Sequence, residues 1–333
     1  MRRTYKNDQS LHTMKTSKFH IIVGSVVLLP SIAFASCGSA FCTVNSSWTT
    51  EDAAAEVGSL FDLRDEYINQ NQPRAGTHNV AVGHIPHDHD EVSTANRNLL
   101  ATYAYTFGNG WGVTVIAPIV ARNHFHLHNE TDGTQTPERW KFTELGDVRA
   151  LGRYQLPLVG DVNNPSSVGV IFGLKLPTGK TTLTNGTGDL AERTLQPGSG
   201  TTDVILGGYY HQKLPQANAS WFLQGQIQQP LKSHNDFKPG AQAGIDAGFN
   251  YAFSDKLGAL LQINVLAKRR DKGSQAEPAD SGGRYMSISP GLSYALTDTI
   301  HIYGFFQKPV YQQVNGVQLT ASKALVAGLS TRF

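Results

Sequence analysis

Apolar and polar residues alternate with a period of two along most of the chain beyond residue 56, and this pattern is typical of β-strands with one apolar face. The alternation is clearest in residues 98–107 and 111–121, two runs that are separated only by Gly108, Asn109 and Gly110. An Asn-Gly turn between two alternating runs is a strong signal for a β-hairpin. The sequence therefore predicts an antiparallel pair of strands here.

Alternating runs of about ten residues recur to the end of the chain, and short links alternate with longer ones such as residues 124–142 and 309–317. This combination is typical of outer-membrane barrels. The sequence predicts an all-β fold, a single transmembrane up-and-down antiparallel β-barrel of about twelve strands over residues 56–333, with short periplasmic turns and long extracellular loops. The predicted strands are residues 57–68, 98–107, 111–121, 145–156, 168–176, 202–212, 221–229, 241–253, 257–266, 285–296, 300–308 and 318–333.

A soluble β-sandwich or closed barrel in the periplasm would show the same alternation, and it is the alternative to the membrane barrel. Its apolar faces would point inward. Aromatic residues near strand ends, such as Trp111 and Tyr251, favour interfacial girdles instead. The terminal Phe333 resembles the C-terminal signal of proteins inserted by the barrel-assembly machinery. The predicted partners are therefore outer-membrane lipid, lipopolysaccharide and that machinery.

The first 35 residues have the features of a secretory signal. A short apolar segment, residues 21–34, follows Lys15 and Lys18, and the A-x-A sequence at residues 33–35 is a cleavage signal. The prediction is a signal peptide over residues 1–35, followed by a periplasmic lead-in over residues 36–55. Export of this kind, together with the barrel pattern, predicts the bacterial outer membrane as the location.

Cys37 and Cys42 are the two cysteines of the chain, and they follow the cleavage site directly. In an oxidising compartment this pair is expected to form a local disulfide, and acylation of Cys37 in a lipoprotein is the alternative. Without the first 35 residues the chain keeps 23 basic and 25 acidic residues, so it is nearly neutral. Nothing in this balance indicates a nucleic-acid partner.

Six histidines form two clusters at one end of the predicted hairpin, because pairing about Asn109 places His124 opposite Thr94 and His128 near Asp90. Imidazoles at alternating strand positions suit Zn²⁺, Cu²⁺ or Ni²⁺, and the carboxylates of Glu91, Asp88, Asp90 and Glu130 are available to complete or orient such a site. A solvated polar loop is the alternative. The barrel itself is expected to require no cofactor. The candidate metal ligands are His84, His87, His89, His124, His126 and His128.

Charged residues on the polar faces of the strands are expected to point into the barrel. Their mixed signs allow two interpretations, a lined path for a solute or ion pairs that fill a narrow lumen. The candidate lumen residues are Asp62, Arg64, Glu66, Asp147, Arg149, Arg153, Lys175, Asp203 and Asp246.

Three short motifs lie in the second half of the chain, LGDV at residues 145–148, GLKLPTGK at residues 173–180 and LQPGSG at residues 195–200. From residue 145 onward the chain resembles the family of bacterial outer-membrane barrels named for the MetA pathway of phenol degradation, often described as transporters. The resemblance implies uptake of small compounds, aromatic ones among them, and it supplies no site residues. The histidine clusters and the cysteines are not part of it.

The predicted function is an outer-membrane barrel that passes or binds a small solute, either a small aromatic compound or a divalent metal ion. A structural or surface-binding barrel without transport is the alternative. A barrel hydrolase is disfavoured, since no local pattern places a nucleophile beside a base. The chain is therefore expected not to be an enzyme.

Overall fold

The computed structural model describes residues 44–45, 57–85, 88–158 and 163–333. A 3₁₀ turn at Pro215–Ala217 links two of the strands, and no helix in these ranges is long and apolar enough to cross a membrane. The strands are β1 (Gly58–Ala75), β2 (His78–Asn79), β3 (His89–Thr106), β4 (Trp111–Asn129), β5 (Gln135–Leu145), β6 (Arg149–Leu158), β7 (Ser166–Lys175), β8 (Asp203–Leu214), β9 (Ala219–Pro230), β10 (Gln242–Ala252), β11 (Leu257–Lys268), β12 (Gly283–Ala295), β13 (Ile300–Val314) and β14 (Val317–Arg332).

The strands form a closed antiparallel barrel in chain order. The short β2 lies beside the end of β1, and β5 and β6 both pair with β4, one beyond the other, so that they occupy one position in the barrel. The last strand, β14, pairs with β1. These pairings give twelve strand positions, which confirms the predicted all-β, twelve-stranded barrel.

The two ends of the barrel sheet are joined by backbone hydrogen bonds between Ser59 and Phe333. The Ser59 N–H donates to the Phe333 carbonyl over 2.8 Å, and the Phe333 N–H donates back over 3.0 Å. A spanning sheet needs such closure because lipid offers no partner to the polar groups of an open edge. The terminal residue therefore takes part in closing the barrel.

The side chains are arranged inside out compared with those of a soluble protein. Val115 and Ile263 on the outer surface are 46% and 41% exposed, whereas Gln262 and Asn264 on the inner surface are each 1% exposed. A continuous apolar outer face of this kind is unstable in water and suits lipid. The arrangement contradicts the soluble barrel that the sequence left open.

Aromatic side chains mark one boundary of the apolar band, next to the short turns. Trp111 packs against Tyr154 with their ring centroids 4.8 Å apart, and its indole also meets Phe172 edge to face. Rings at this level match the interfacial girdle of membrane barrels. The exposed aromatic residues near these turns are Tyr103, Phe107, Trp111, Tyr251, Phe253 and Tyr294.

Strands β1, β3 and β4 contain 18, 18 and 19 residues, whereas a spanning strand needs about 9–11. Above Leu99 the outward side chains become polar, and Arg97 forms an ion pair with Asp65 over 2.8 Å. The barrel wall therefore rises well beyond the apolar band on the side opposite the short turns. This part of β3, β4 and β5 carries the candidate site.

Two segments that were expected to be long loops are strands instead. Residues 124–142 belong largely to β4 and β5, and residues 309–317 are the ends of β13 and β14 around a tight turn at Asn315 and Gly316. Gly316 adopts a φ of 57°, which a side chain would disfavour. Outside lipid neither strand face needs to be apolar, so alternation of hydrophobicity does not reveal these extensions.

Lysine substitutions at two neighbouring positions of β10 should differ in their effect on stability, because one position faces lipid and the other faces the lumen. Ile245→Lys places a charge on the outer face, where Ile245 is 55% exposed, and it should reduce the free energy of unfolding by on the order of 2 kcal/mol. Gly244→Lys points inward, where a Cβ atom has room (3.7 Å to its nearest neighbour), and it should cost much less. Urea titration in lipid vesicles, followed by heat-modifiable gel migration, measures both. A larger cost for Gly244→Lys would contradict the assigned faces.

Candidate functional site

The hairpin of β3 and β4 sets the positions of the histidines. Thr94 lies opposite His124, as the turn predicted, but a bulge at Val92 shifts the pairs above it by one residue. Glu91 is therefore opposite His126. Opposed residues of a strand pair face the same side, so the bulge brings a carboxylate and two imidazoles together on the inner face.

The inner face of the hairpin carries a compact group of rings and carboxylates. The rings of His89 and His126 stack with their centroids 4.6 Å apart, and His124 meets His126 edge to face at 5.2 Å. One ligand atom from each of His89, Glu91, His126 and Glu192 lies within 4.8 Å of the other three. We call these four residues the His–Glu cluster. Its donor set is one that transition-metal ions accept.

Glu192 reaches the cluster from the segment between β7 and β8, residues 176–202, which we call the mouth loop. Its Ala191 and Leu195 are buried against Trp140 of β5, whose indole N–H donates to the carbonyl of Asp189 over 3.0 Å. This apolar contact holds the mouth loop against the inner face of the raised wall. Glu192 is thereby fixed beside His89 and Glu91, which precede it by 103 and 101 positions in the chain.

The base of the mouth loop is closed by a contact between two glycine backbones. The Gly198 N–H donates to the carbonyl of Lys180 over 2.9 Å, and a Cβ atom on Gly198 would lie 2.2 Å from the carbonyl oxygen of Gly179. Only glycine, which has no Cβ atom, allows the two backbone segments at the base of the loop to approach so closely. Two of the three sequence motifs, GLKLPTGK and LQPGSG, meet at this contact.

A buried ion pair fastens the same base to the barrel. Lys175 Nζ lies 2.7 Å from Asp147 and 3.4 Å from Asp203, and all three side chains are at most 8% exposed. The N–H and the hydroxyl of Ser199 also donate to Asp147, over 3.0 and 2.9 Å. Removing one member would leave the others buried and uncompensated, which is costly.

The electrostatics of the His–Glu cluster are dominated by burial and by the charge of His89. Burial lowers the pKa of His89, but its contacts with the Glu192 and Glu91 carboxylates outweigh burial and raise this pKa. Burial raises the pKa of Glu192, but its contact with His89 outweighs burial and lowers this pKa. Burial and then the Glu192 charge raise the pKa of Glu91. Burial lowers the pKa values of His124 and His126. The cluster thus holds the His89 imidazolium against the Glu192 carboxylate, next to a Glu91 side chain whose burial favours its neutral form. The ring of His126 and the neighbouring ring of His124 are neutral.

The structure brings together three of the six histidines suggested by the sequence, His89, His124 and His126. His84 is exposed in a turn, and His128 is partly buried opposite His89 without belonging to the cluster. His87, like residues 1–35 and the two cysteines, lies outside the described residues.

Of the carboxylates that the sequence suggested, Glu91 belongs to the cluster, whereas others lie elsewhere. Asp90 and Glu130 accept hydrogen bonds from Gln135 and Thr136, away from the cluster. Glu192 was missed, because a single glutamate in an irregular loop carries no pattern that indicates its partners. Glu138 was also missed, although its position across from His126 follows once β5 is known.

The nine charged residues expected in the lumen all face the interior of the barrel, and most of them have partners there. Arg64 pairs with Glu66 over 2.9 Å, Asp62 accepts from the Tyr303 hydroxyl over 2.9 Å, and Asn264 donates to Asp246 over 2.8 Å. Arg153 contacts the hydroxyl of Thr106, and Lys175, Asp147 and Asp203 form the buried pair described above. In the described part of the chain, Arg149 has no ion pair within 4.0 Å with these carboxylates.

Between these side chains remains a cavity of about 300 Å³, which borders nine of the twelve strand positions and the mouth loop. Its charged lining is unbalanced, with six basic and three acidic residues. The basic ones are Arg64, Arg122, Arg149, Lys175, Arg193 and Lys268, and the acidic ones are Glu66, Asp147 and Asp203.

Val44 and Asn45, two residues of the predicted lead-in, also lie inside the barrel. The Asn45 backbone exchanges hydrogen bonds with the Gln262 side chain over 2.9 and 2.8 Å, and its amide donates to Gln224 over 2.9 Å. Val44 packs in a buried cluster with Leu260 and aromatic residues of β13. The lumen is therefore narrowed by this segment as well as by the mouth loop.

No protein-family model matches the chain, and no curated protein matches it. Among solved structures it is similar to an outer membrane channel from Pseudomonas putida F1, with a TM-score of 0.59 and 13% identity over 84% of this chain and 96% of that one. The NanC porin (TM-score 0.42, 11% identity, 82% and 100% covered) and the translocator domain of the autotransporter NalP from Neisseria meningitidis (0.43, 10%, 86% and 93%) are more distant.

The closed barrel, its apolar outer face and its inward polar residues define the class of protein, a bacterial outer-membrane β-barrel. The similarity to the Pseudomonas putida channel supports this fold. At 13% identity it carries the fold alone, so the substrate has to be argued from the residues of this chain.

Two carboxylates near the base of the mouth loop provide a matched test of how it is held. Asp147→Asn should lower the free energy of local opening of the mouth loop by about 3–5 kcal/mol, because it leaves Lys175 buried beside fewer negative charges. Glu144→Gln breaks a pair in which Lys180 is 58% and Glu144 is 31% exposed, and it should change little. Hydrogen exchange of residues 191–199 measures both effects. Equal exchange rates in the two variants would contradict the anchoring role of Asp147.

Proposed function

We propose that this protein is an outer-membrane channel for small anionic solutes, with aromatic acids among them. The observation that carries the proposal is the excess of basic side chains around the cavity, six against three, which persists when Lys268 is set against its partner Asp271, 2.8 Å away. Walls of one sign in a narrow space of low dielectric concentrate solutes of the opposite sign. An anion is therefore favoured over a cation at this point of the path.

Arg149 is central to this proposal. Its guanidinium borders the cavity, while Glu66, Asp147 and Asp203 are already engaged with Arg64 and Lys175. A planar guanidinium with several donors suits a carboxylate or a similar anion. Arg149 can therefore offer a positive charge to a passing solute without breaking an existing ion pair.

The aromatic part of the proposal has two supports. The cavity wall includes Phe237, and the guanidinium of Arg193 lies over its ring at 4.9 Å. A face of this kind, apolar and basic together, suits a solute that has both a ring and a negative charge. The resemblance of the chain from residue 145 onward to barrels of the MetA pathway of phenol degradation also points to aromatic compounds.

A divalent metal ion as the transported solute is less compatible with this lining, because a cation would have to pass the same basic residues. A hydrolase also has little support from the geometry. Thr94 Oγ1 lies 2.8 Å from His124 Nδ1, but both residues are fully buried, so the pair is inaccessible to a substrate. The proposal therefore contains passage of a solute and no reaction.

The purified protein should conduct ions in a planar lipid bilayer and should prefer anions. The reversal potential in a KCl gradient measures this preference. Arg149→Gln should reduce it, because the charge at the cavity is lost. Arg97→Gln is the matched control, since Arg97 is paired with Asp65 on the outer surface. Absence of any current would refute the channel, and selectivity for cations would refute the anionic solute.

The segment that carries Asn45 should limit the current. Asn45→Ala removes the side-chain hydrogen bond to Gln224 and weakens the hold on the segment, so the mean current per channel should rise. Asn123→Ala, on the exposed surface of β4, should leave the current unchanged. Single-channel recording compares the two variants. A current that is unaffected by Asn45→Ala would show that Val44 and Asn45 do not restrict the path.

A further inference from the structure

The carboxylate of Glu91 is buried without a hydrogen bond. Its side chain is 2% exposed, and neither oxygen has a hydrogen-bond partner in the described part of the chain. The nearest ring nitrogens, His89 Nε2 and His124 Nδ1, are 3.5 and 3.7 Å away. A buried carboxylate in this state is costly unless a cation meets it. The side chain of Glu91 therefore points to a missing positive charge.

His89 cannot supply that charge alone. Its Nε2 atom lies 3.1 Å from Glu192 and 3.5 Å from Glu91, so one nitrogen atom is shared between two carboxylates. Neither oxygen of Glu91 gains a hydrogen bond from it. A divalent cation would balance both carboxylates.

The spacing of the cluster suits such an ion. The four ligand atoms lie within 4.8 Å of one another. In a tetrahedral zinc site with bonds of about 2.0–2.1 Å, neighbouring ligand atoms are roughly 3.4 Å apart. The widest gap must therefore close by roughly 1.4 Å, a distance that rotation of glutamate side chains covers without movement of the strands.

We propose that His89, Glu91, His126 and Glu192 bind one transition-metal ion, with Zn²⁺ the best match, and that this ion fastens the mouth loop to the hairpin of β3 and β4. Two imidazoles favour zinc, copper or nickel over calcium or magnesium, which prefer oxygen ligands. Two carboxylates add the hard oxygen ligands that zinc also accepts.

Glu138 supports the proposed site from outside the four ligands. Its carboxylate lies 2.8 Å from Nε2 of His126. When Nε2 donates a hydrogen bond to this carboxylate, the lone pair lies on Nδ1, which is 3.3 Å from Nε2 of His124 and would have to turn from this contact toward a metal ion. A carboxylate that orients a ligating histidine in this way is a recurrent feature of metal sites.

The ion would add a second link between the mouth loop and the raised wall, which the loop already contacts through Trp140. Three ligands come from β3 and β4, and the fourth comes from the mouth loop. Binding should therefore reduce the motion of the loop. The proposed site does not depend on the channel function, because metal binding and loop motion can be measured without any solute or current.

Calorimetry with ZnCl₂ on the full chain in detergent, after treatment with chelator, tests the site. Wild type should bind one ion per chain, and His89→Ala/His126→Ala should weaken binding on the order of 100-fold or more. His84→Ala/His128→Ala removes as many histidines from the same hairpin outside the cluster, and it should bind like wild type. Absence of binding to wild type, or equal loss in both double variants, would overturn the proposal. Heat-modifiable migration checks that each barrel is folded.

A second comparison isolates the mouth loop and leaves the strands unchanged. Zinc should slow hydrogen exchange of residues 189–195 in wild type and in Asp189→Asn, whose side chain is exposed and bonds to its own loop. Glu192→Gln should abolish this protection and weaken zinc binding by at least tenfold. Undiminished affinity and protection in Glu192→Gln would overturn the proposed role of the mouth loop.

Discussion

The structure depends on the closure of β1 onto β14. Inside lipid each backbone N–H and C=O must be paired within the protein, so an open edge on either strand would be costly at every second residue. Their antiparallel register runs from Leu60 and Arg332 to Ala75 and Val317 and removes both edges. Closure also fixes the direction of every side chain, since alternate residues must face lipid or the lumen. The apolar outer face and the polar interior are both consequences of this constraint.

A closed barrel of twelve strands leaves a limited space, and inward polar groups must find partners in it. The amide of Gln307 reaches Asn264 and Ser289, and Asn264 bonds to Asp246, in one continuous network across the strands. Such networks fill much of the lumen and make it rigid. The properties of the remaining cavity are then set by the few charges, like that of Arg149, that the networks do not neutralise.

Sequence patterns predicted the strands that lie in lipid, because lipid requires an apolar residue at every second position there. They also predicted that His124 faces Thr94, since a tight turn fixes the register. They failed above the membrane, where β5 and the upper part of β4 have no apolar face. The bulge at Val92 and the contact between Glu192 and His89 were beyond reach too, because neither depends on a periodic pattern. His89, Glu91 and His126 of the cluster could therefore be suggested from the sequence, whereas Glu192 could not.

The acidic cluster at the mouth and the basic cavity below it are compatible with one function. Without a metal, ionisation of both Glu91 and Glu192 leaves the cluster with two negative charges against the one positive charge of His89, and this net negative charge near the entrance opposes an anion. A unit charge at about 10 Å contributes about 0.4 kcal/mol in water and about 1.7 kcal/mol at an effective dielectric constant of 20. A divalent ion bound to neutral His89 and His126 would balance the two carboxylates and so cancel this contribution. Glu91 and Glu192 would then no longer oppose the entry of anions, and their charges would serve to hold the mouth loop.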